Sequence, residues 1–299
     1  MCGAVSFHDL YQVPDRHYGI SGTYSIVQCR ICSLVLLNPL PNEQALVGLY
    51  PKNYYSYQNF FENKSWLKQI VKRLCLLQIG TKDPHFSSPG RILDLGCGSG
   101  KFLYALREKG WETFGAEINA DAAELGRRAA NLNIFSGNLR EANFPNDYFD
   151  YIRSNHSFEH VDNPNETLLE LKRILKPEGK MMIGVPNFDS WNSWRFQQYW
   201  WYLGAPVHPF NYSMTTLCKM LEKHGFVVER KIYNSDYSGI LGSLQIWANR
   251  NSGQISTEGA LFHNFVLLVL AQRMAKLLDL LKQGDVIEIT SRKSAEQRA

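Results

Sequence analysis

The chain has 299 residues, of which 44% are hydrophobic and 20% charged, an ordinary globular composition with room for one α/β domain of about 200 residues plus smaller additions. A count of 32 Lys and Arg against 28 Asp and Glu leaves a net charge of +4, too small an excess to argue for a nucleic-acid partner. The opening Met1-Cys2-Gly3-Ala4-Val5 lacks the basic segment and apolar core of a signal peptide, so a cytoplasmic location is expected, where six dispersed cysteines read as thiols or ligands rather than disulfides.

Residues 1–40 carry a signal of their own. Cys29-Arg30-Ile31-Cys32 lies between the apolar runs Tyr24–Val27 and Leu34–Leu37, which predicts two short strands joined by a C-x-x-C turn, half of a zinc ribbon. Cys2, followed by Gly3, is the only upstream cysteine. The further thiolate of a second knuckle would fall two positions before Met1. Cys2, Cys29 and Cys32 are therefore the candidate ligands of an incomplete metal site. Either the chain starts at an internal Met and a Cys has been cut off, or the site has decayed and its strands persist as packing. Three thiolates short of a fourth ligand hold zinc poorly, so zinc is not expected in this form. His8 has the wrong spacing from Cys2 for a knuckle. Residues 41–88 read as a helical cap, with Trp66, Leu67, Ile70, Val71 and Leu74 at helical spacing. Tyr54, Tyr55 and Tyr57 in this segment are candidates either to pack or to touch a ligand.

The next element holds the most specific motif. Arg91-Ile92-Leu93-Asp94-Leu95 reads as a buried strand, and Gly96, Gly98 and Gly100 alternate in the turn that follows. Lys101 to Lys109 is apolar on one face and reads as a helix. Strand, glycine loop and helix open a nucleotide-type cofactor site. A dinucleotide site prefers G-x-G-x-x-G, with pyrophosphate on the helix N-terminus. Here the pattern is D-x-G-x-G-x-G, which sets a carboxylate, Asp94, beside the ligand and favours a cationic one. Asp94-Leu95-Gly96-Cys97-Gly98-Ser99-Gly100 resembles the first motif of the class I S-adenosylmethionine (SAM)-dependent methyltransferases.

Further parts follow in the order this resemblance implies. Glu112 to Ile118 reads as a second strand whose tip, Glu117, stands about 20 residues past the loop, where an acid grips a ribose diol. Ile134-Phe135 is a third strand. The family usually places an Asp and an apolar residue after it, against the adenine; this chain offers Asn138 and Leu139, and Asn still supplies an acceptor carbonyl. Phe144–Ile152 leads into a fourth strand that ends in Ser154-Asn155-His156-Ser157-Phe158-Glu159-His160-Val161. Ligands bind at the carboxyl ends of such strands, which makes Asn155, His156, Glu159 and His160 candidate site residues. Leu168–Leu175 reads as a helix closed by the turn Lys176–Lys180, and Met181–Val185 as a fifth strand. Phe210–Phe226 reads as a helix and Val227–Ile232 as a sixth strand. The ordered match covers residues 90 to 235.

Residues 187–215 hold a dense aromatic run, Trp191, Trp194, Tyr199, Trp200, Trp201 and Tyr202, and then Pro206-Val207-His208-Pro209. An aromatic insertion after a strand end is a natural lid over an organic substrate; the alternative is a small hydrophobic subdomain. His208 is the first candidate for a general base, since neutral imidazole can take a proton near pH 7, with His156 and His160 its rivals. Ala260–Leu281 is a strongly apolar helix, interrupted by Gln272, Arg273 and Lys276, too short and charged to span a bilayer. It suits packing on the core or in a dimer, ahead of contact with a membrane surface. Gly284–Thr290 reads as a seventh strand.

The resemblance implies a Rossmann-like α/β fold: a seven-stranded sheet with its last strand antiparallel, helices on both faces and a small ribbon-like N-terminal segment. The domain division is 1–40, 41–88, a SAM-binding core at 89–235 and a C-terminal 236–299. The implied function is transfer of a methyl group from SAM to a small-molecule acceptor. A sugar or sugar-nucleotide derivative leads, because some sugar methyltransferases carry an N-terminal zinc ribbon. A quinone or lipid-linked acceptor is the alternative, and a non-catalytic SAM-binding scaffold is the alternative of another class.

Overall fold

Two sheets organise the computed structural model, which describes residues 2–49, 88–251 and 260–294. The first is small and antiparallel: β1 (Phe7–Val13), β2 (Tyr24–Cys29) and β3 (Val35–Leu37) pair in that order. A two-residue strand from much later in the chain, β9 (Phe210–Asn211), completes it beside β3. The two strands expected around Cys29–Cys32 are thus present. Helix α1 (Glu43–Gly48) follows; the rest of the expected cap, with Trp66–Leu74 and the tyrosines at 54, 55 and 57, lies outside the described residues.

The second sheet has seven strands: β4 (Arg91–Leu95), β5 (Glu112–Glu117), β6 (Asn133–Ser136), β7 (Phe149–Asn155), β8 (Leu175–Pro186), β10 (Phe226–Tyr233) and β11 (Val286–Lys293). Their order is β10-β11-β8-β7-β4-β5-β6. β11 runs antiparallel to both neighbours, and the pairs among β4 to β8 are parallel. The chain travels outward from β4 through β5 to β6, then returns to β7 on the other side of β4. The carboxyl ends of β4 and β7 therefore flank a topological switch point, where open α/β sheets bind ligands.

Helices cover both faces. Residues 92–95 of β4 are a continuous buried run, as a strand covered on both sides must be. Ile92 packs with Leu106 of α2 (Lys101–Arg107). Its neighbour Leu93 faces the other way, into a core with Leu168 and Leu171 of α4 (Pro164–Ile174) and Leu217 and Leu221 of α6 (Met214–Lys223). The helix starts are written locally. Asn119 Oδ1 accepts from Ala122 N–H at 2.8 Å to cap α3 (Ala120–Ala130), Asn163 caps α4 with Pro164 in its first turn, and Ser213 and Thr216 form a reciprocal cap on α6.

Two segments differ from expectation, and a third, the apolar tail, forms the expected helix. Lys176–Gly179 does not stand as a separate turn but belongs to the start of β8, where a register break opposite Phe149–Tyr151 absorbs the extra residues. The helix read from Phe210 begins only at Met214, because Phe210 and Asn211 are taken up by β3. The apolar tail forms α8 (Phe265–Leu280), preceded by α7 (Tyr237–Ala248); both lie in the connection between β10 and β11. Only one stripe of α8 packs inward, through Ala271, Gln272, Ala275 and Leu278, while Val266, Leu270, Leu277 and Leu280 stay at least half exposed. Among the described residues no helix is long and apolar enough to cross a membrane.

The aromatic run at 191–203 is fastened at both ends of the chain. α5 (Trp191–Phe196) and two single 3-10 turns carry Phe196, Trp200 and Leu203 into a second core with Val13, Ile26, Val35 and Leu37 of the small sheet. From the other end, Asp285 is 1% exposed. It accepts from Ser190 Oγ at 2.7 Å, from Trp200 Nε1 at 2.9 Å and from Asn192 Nδ2. Burial pushes its carboxyl up to about 6 from the ordinary 3.8, against the pull of those donors. The folded state then holds this proton more tightly than the unfolded chain, so this contribution to stability is full below about pH 4, declines from there to about pH 6 and is lost above it. Asp285→Ala strands three buried donors and is expected to cost about 3–5 kcal/mol at pH 7. Urea unfolding measures it, and a loss below about 1 kcal/mol would show that the aromatic run is held by packing alone.

Candidate active site

The glycine loop joins the end of β4 to α2. Gly96, Gly98 and Gly100 all take left-handed backbone angles, with φ of 69°, 55° and 82°, which residues with a Cβ rarely adopt. Gly96 has a second constraint: a Cβ there would sit 2.2 Å from Ser157 Oγ. Ser157 in turn donates to Leu95 C=O at 2.8 Å, tying the segment after β7 to the loop after β4.

Glu117, at the tip of β5, is 7% exposed. Its two carboxylate oxygens accept from Gly98 N–H and Asn119 N–H, each at 2.8 Å. Burial raises its pKa, against those two bonds. The acid predicted to grip a diol thus stands directly against the loop predicted to cradle the ligand.

Other predicted cofactor residues sit differently from expectation. Asp94 is 2% exposed and does not present its carboxylate to open space: Oδ1 accepts from Arg153 Nη1 at 2.9 Å. The two residues are register partners on β4 and β7. Arg153 also stacks over the Phe102 ring at 4.1 Å. Burial pushes the Asp94 carboxyl up and Arg153 pulls it back. Leu139 is buried in the main core rather than turned to a ligand. Asn138 caps the 3-10 turn Leu139–Ala142, its Oδ1 accepting from Arg140 N–H at 3.2 Å. Cys97 packs beside Leu103 and Ile134, and burial pushes its thiol well above the ordinary range. Asn155 ends β7 with its side chain over Gly184, where a Cβ would meet Oδ1 at 2.6 Å.

All three predicted histidines gather around one carboxylate. His156 has φ of 52° and is held by its N–H to Gly184 C=O at 2.8 Å. Its ring lies nearly parallel to that of Tyr202, with centroids 6.0 Å apart. His160 and His208 meet edge to face at 4.6 Å. His160 Nδ1 contacts Val207 C=O at 2.6 Å and His208 Nδ1 contacts Tyr202 C=O at 2.9 Å. A carbonyl only accepts, so in both rings Nδ1 carries the proton and Nε2 the lone pair. Glu159 lies among them at 1% exposure. His156 Nδ1 stands 3.5 Å from Glu159 Oε1, too far for a good hydrogen bond, and neither carboxylate oxygen finds a well-formed one among the described residues. Burial pushes the Glu159 carboxyl up, but the three surrounding histidines bring it down to about 2. Burial and the neighbouring His160 hold His208 down at about 3. That differs from the base near pH 7 read from sequence: His208 stays neutral across the physiological range because its site resists a positive charge.

At the other end of the chain the Sγ atoms of Cys2, Cys29 and Cys32 lie within 4.8 Å of one another, with Cys2 and Cys29 at 3.5 Å. A closed zinc site takes four ligands; these three thiols converge, and His8 is not among the group.

Sequence reading passed over Arg153 and Ser157, and placed Tyr202 only within the aromatic run. Arg153 carried a signal, a lone charge inside the apolar strand Tyr151-Ile152-Arg153. Ser157 and the Tyr202 carbonyl had none, since they act through contacts that only the fold creates.

A parallel sheet with a glycine loop at the switch point and an acid at the tip of the neighbouring strand defines a nucleotide-cofactor enzyme class. The profile of the methyltransferase-domain family matches residues 64–231, more than half of the chain, and the chain belongs to this family of class I SAM-dependent methyltransferases. It is similar to the ubiquinone/menaquinone biosynthesis C-methyltransferase UbiE of Vibrio vulnificus, 33% identical over 124 residues, which cover 36% of this chain and 47% of that protein. The chain thus spans about half the length of that relative. A probable SAM-dependent methyltransferase of Mycolicibacterium smegmatis is 24% identical over 195 residues, 64% of this chain and 66% of that one. Among solved structures, the putative methyltransferase bound to the Haloferax volcanii Trm112 activator superposes with a TM-score of 0.50 at 18% identity, covering 75% of this chain and 88% of that one, a likeness of fold.

Proposed function

We propose that this chain transfers the methyl group of SAM to a small-molecule acceptor seated against His156, Glu159, His160 and His208. The observation that carries the reading is the tie from Leu95 C=O to Ser157 Oγ, which sets the histidine cluster beside the cofactor loop. Gly96 to Gly100 give the backbone the close approach a cofactor needs, Glu117 takes the ribose hydroxyls, and Asn138 lies on the adenine side. Asp94 serves by fixing the loop through Arg153. SAM supplies a methyl group already activated by its sulfonium, so the protein's work is to align the acceptor and exclude water. His208 presents a neutral, lone-pair nitrogen to the acceptor.

A sugar or sugar-nucleotide derivative is the first acceptor class, supported by the N-terminal sheet with its convergent Cys2, Cys29 and Cys32. A quinone-type acceptor is the second, favoured by the similarity to a ubiquinone/menaquinone C-methyltransferase. Labelled SAM offered with nucleotide sugars and with quinone precursors separates the two. Calorimetry that detects no SAM binding would reject the methyltransferase reading. His208→Ala is expected to keep SAM affinity within about threefold while lowering kcat by about 10²-fold or more; equal turnover would remove His208 from the reaction.

A further inference from the structure

We infer that Glu159, His160 and His208 form a binding site for one divalent transition-metal cation, which holds a hydroxyl of the acceptor. The inference deepens the proposed function and rests on it for the acceptor, whereas cation binding itself stands apart from turnover.

Three observations carry it. One ligating atom from each of Glu159, His160 and His208 lies within 4.8 Å of the others, a span that a single ion closes at ordinary bond lengths of about 2.0–2.2 Å. Glu159 is 1% exposed, yet both carboxylate oxygens lack a well-formed hydrogen bond among the described residues. Burying a charged group without good donors costs several kcal/mol; His156 Nδ1, at 3.5 Å, offsets this only in part, and a bound cation would complete the compensation. The orientation of the rings is the third. His160 and His208 each give Nδ1–H to a backbone carbonyl, Val207 and Tyr202 respectively. That arrangement fixes the tautomer of a metal-bound histidine and leaves Nε2 as the ligand nitrogen.

Two imidazoles and one carboxylate suit Mn²⁺, Fe²⁺, Co²⁺ or Zn²⁺, and they leave coordination positions open for substrate. An acceptor hydroxyl bound there would lose its proton to water more easily. Its oxygen pair would then form the O–CH3 bond as the C–S bond breaks and its electron pair returns to sulfur.

Mn²⁺ is the probe, because it prefers carboxylate and imidazole over the thiolates of Cys2, Cys29 and Cys32. Titrated into the metal-free full chain and followed by electron paramagnetic resonance, wild type is expected to take up one Mn²⁺ per chain. Glu159→Gln and His208→Ala are each expected to weaken that binding at least tenfold. SAM binding within threefold of wild type in the same variants confirms that they fold. His208 is half-buried, so its variant keeps the test alive should Glu159→Gln fail to fold. Wild type without stoichiometric Mn²⁺, or variants that bind it equally well, would overturn the site. Loss of SAM binding by wild type would reject the methyltransferase reading and leave the Mn²⁺ result standing.

Discussion

Arg153→Met is expected to destabilise the protein by about 3–5 kcal/mol, the cost of breaking a buried ion pair from one side. Asp94 and Arg153 are both under a tenth exposed, face each other across β4 and β7, and meet at 2.9 Å. Removing the guanidinium leaves a carboxylate that burial already pushes toward protonation. It also removes the cation stacked on Phe102 at 4.1 Å. In thermal unfolding the loss should lower Tm by roughly 10 °C. The double variant Asp94→Asn with Arg153→Met should recover at least half of that, because no uncompensated charge remains. A single variant with wild-type Tm, or a double variant no better than the single, would show that the pair does not hold the two strand ends together.

Gly96→Val attacks the cofactor loop from a different side. The backbone angle of 69° is unfavourable for a β-branched residue, and its Cβ would sit 2.2 Å from Ser157 Oγ. Relief requires moving Ser157, which breaks its bond to Leu95 C=O, or moving the loop, which pulls Gly98 N–H from Glu117. SAM affinity is expected to fall at least 100-fold, about 2.7 kcal/mol. Calorimetry reads this directly, and affinity within threefold of wild type would mean that the cofactor does not lie along the loop. Circular dichroism separates loss of the loop from loss of the fold.

Much of the cofactor half was legible because it is local. Strand β4, the three glycines, α2 and Glu117 fall within 27 residues, and each is announced by residue type: a buried apolar run, glycines at positive φ, an acid at a strand tip. The role of Asp94 was not legible. Its partner is 59 residues away, and only strand register places the two side chains opposite each other. The histidines and Glu159 could be listed from sequence, but not that this carboxylate lies among all three rings without good donors. Nor could the carbonyls that fix His160 and His208, since backbone acceptors leave no trace in residue identity. The aromatic run was readable as a cluster, but its division between packing and site was not: Trp200 is 1% exposed in the second core, Tyr202 faces His156, and Trp194 is 72% exposed.

The strand β9 gives the two halves of the site different histories during synthesis. His208 stands two residues before β9, which pairs with β3, and Leu37 N–H donates to Pro209 C=O at 3.0 Å. The neighbouring Trp200 is tied to Asp285. The acceptor wall therefore waits for contacts between segments some 85 to 170 positions apart, whereas the loop and Glu117 close over 19. Non-local closure is slow and follows local closure. On a growing chain the cofactor cradle has its residues well before Asp285 leaves the ribosome, and the brace on the aromatic run is added only afterwards.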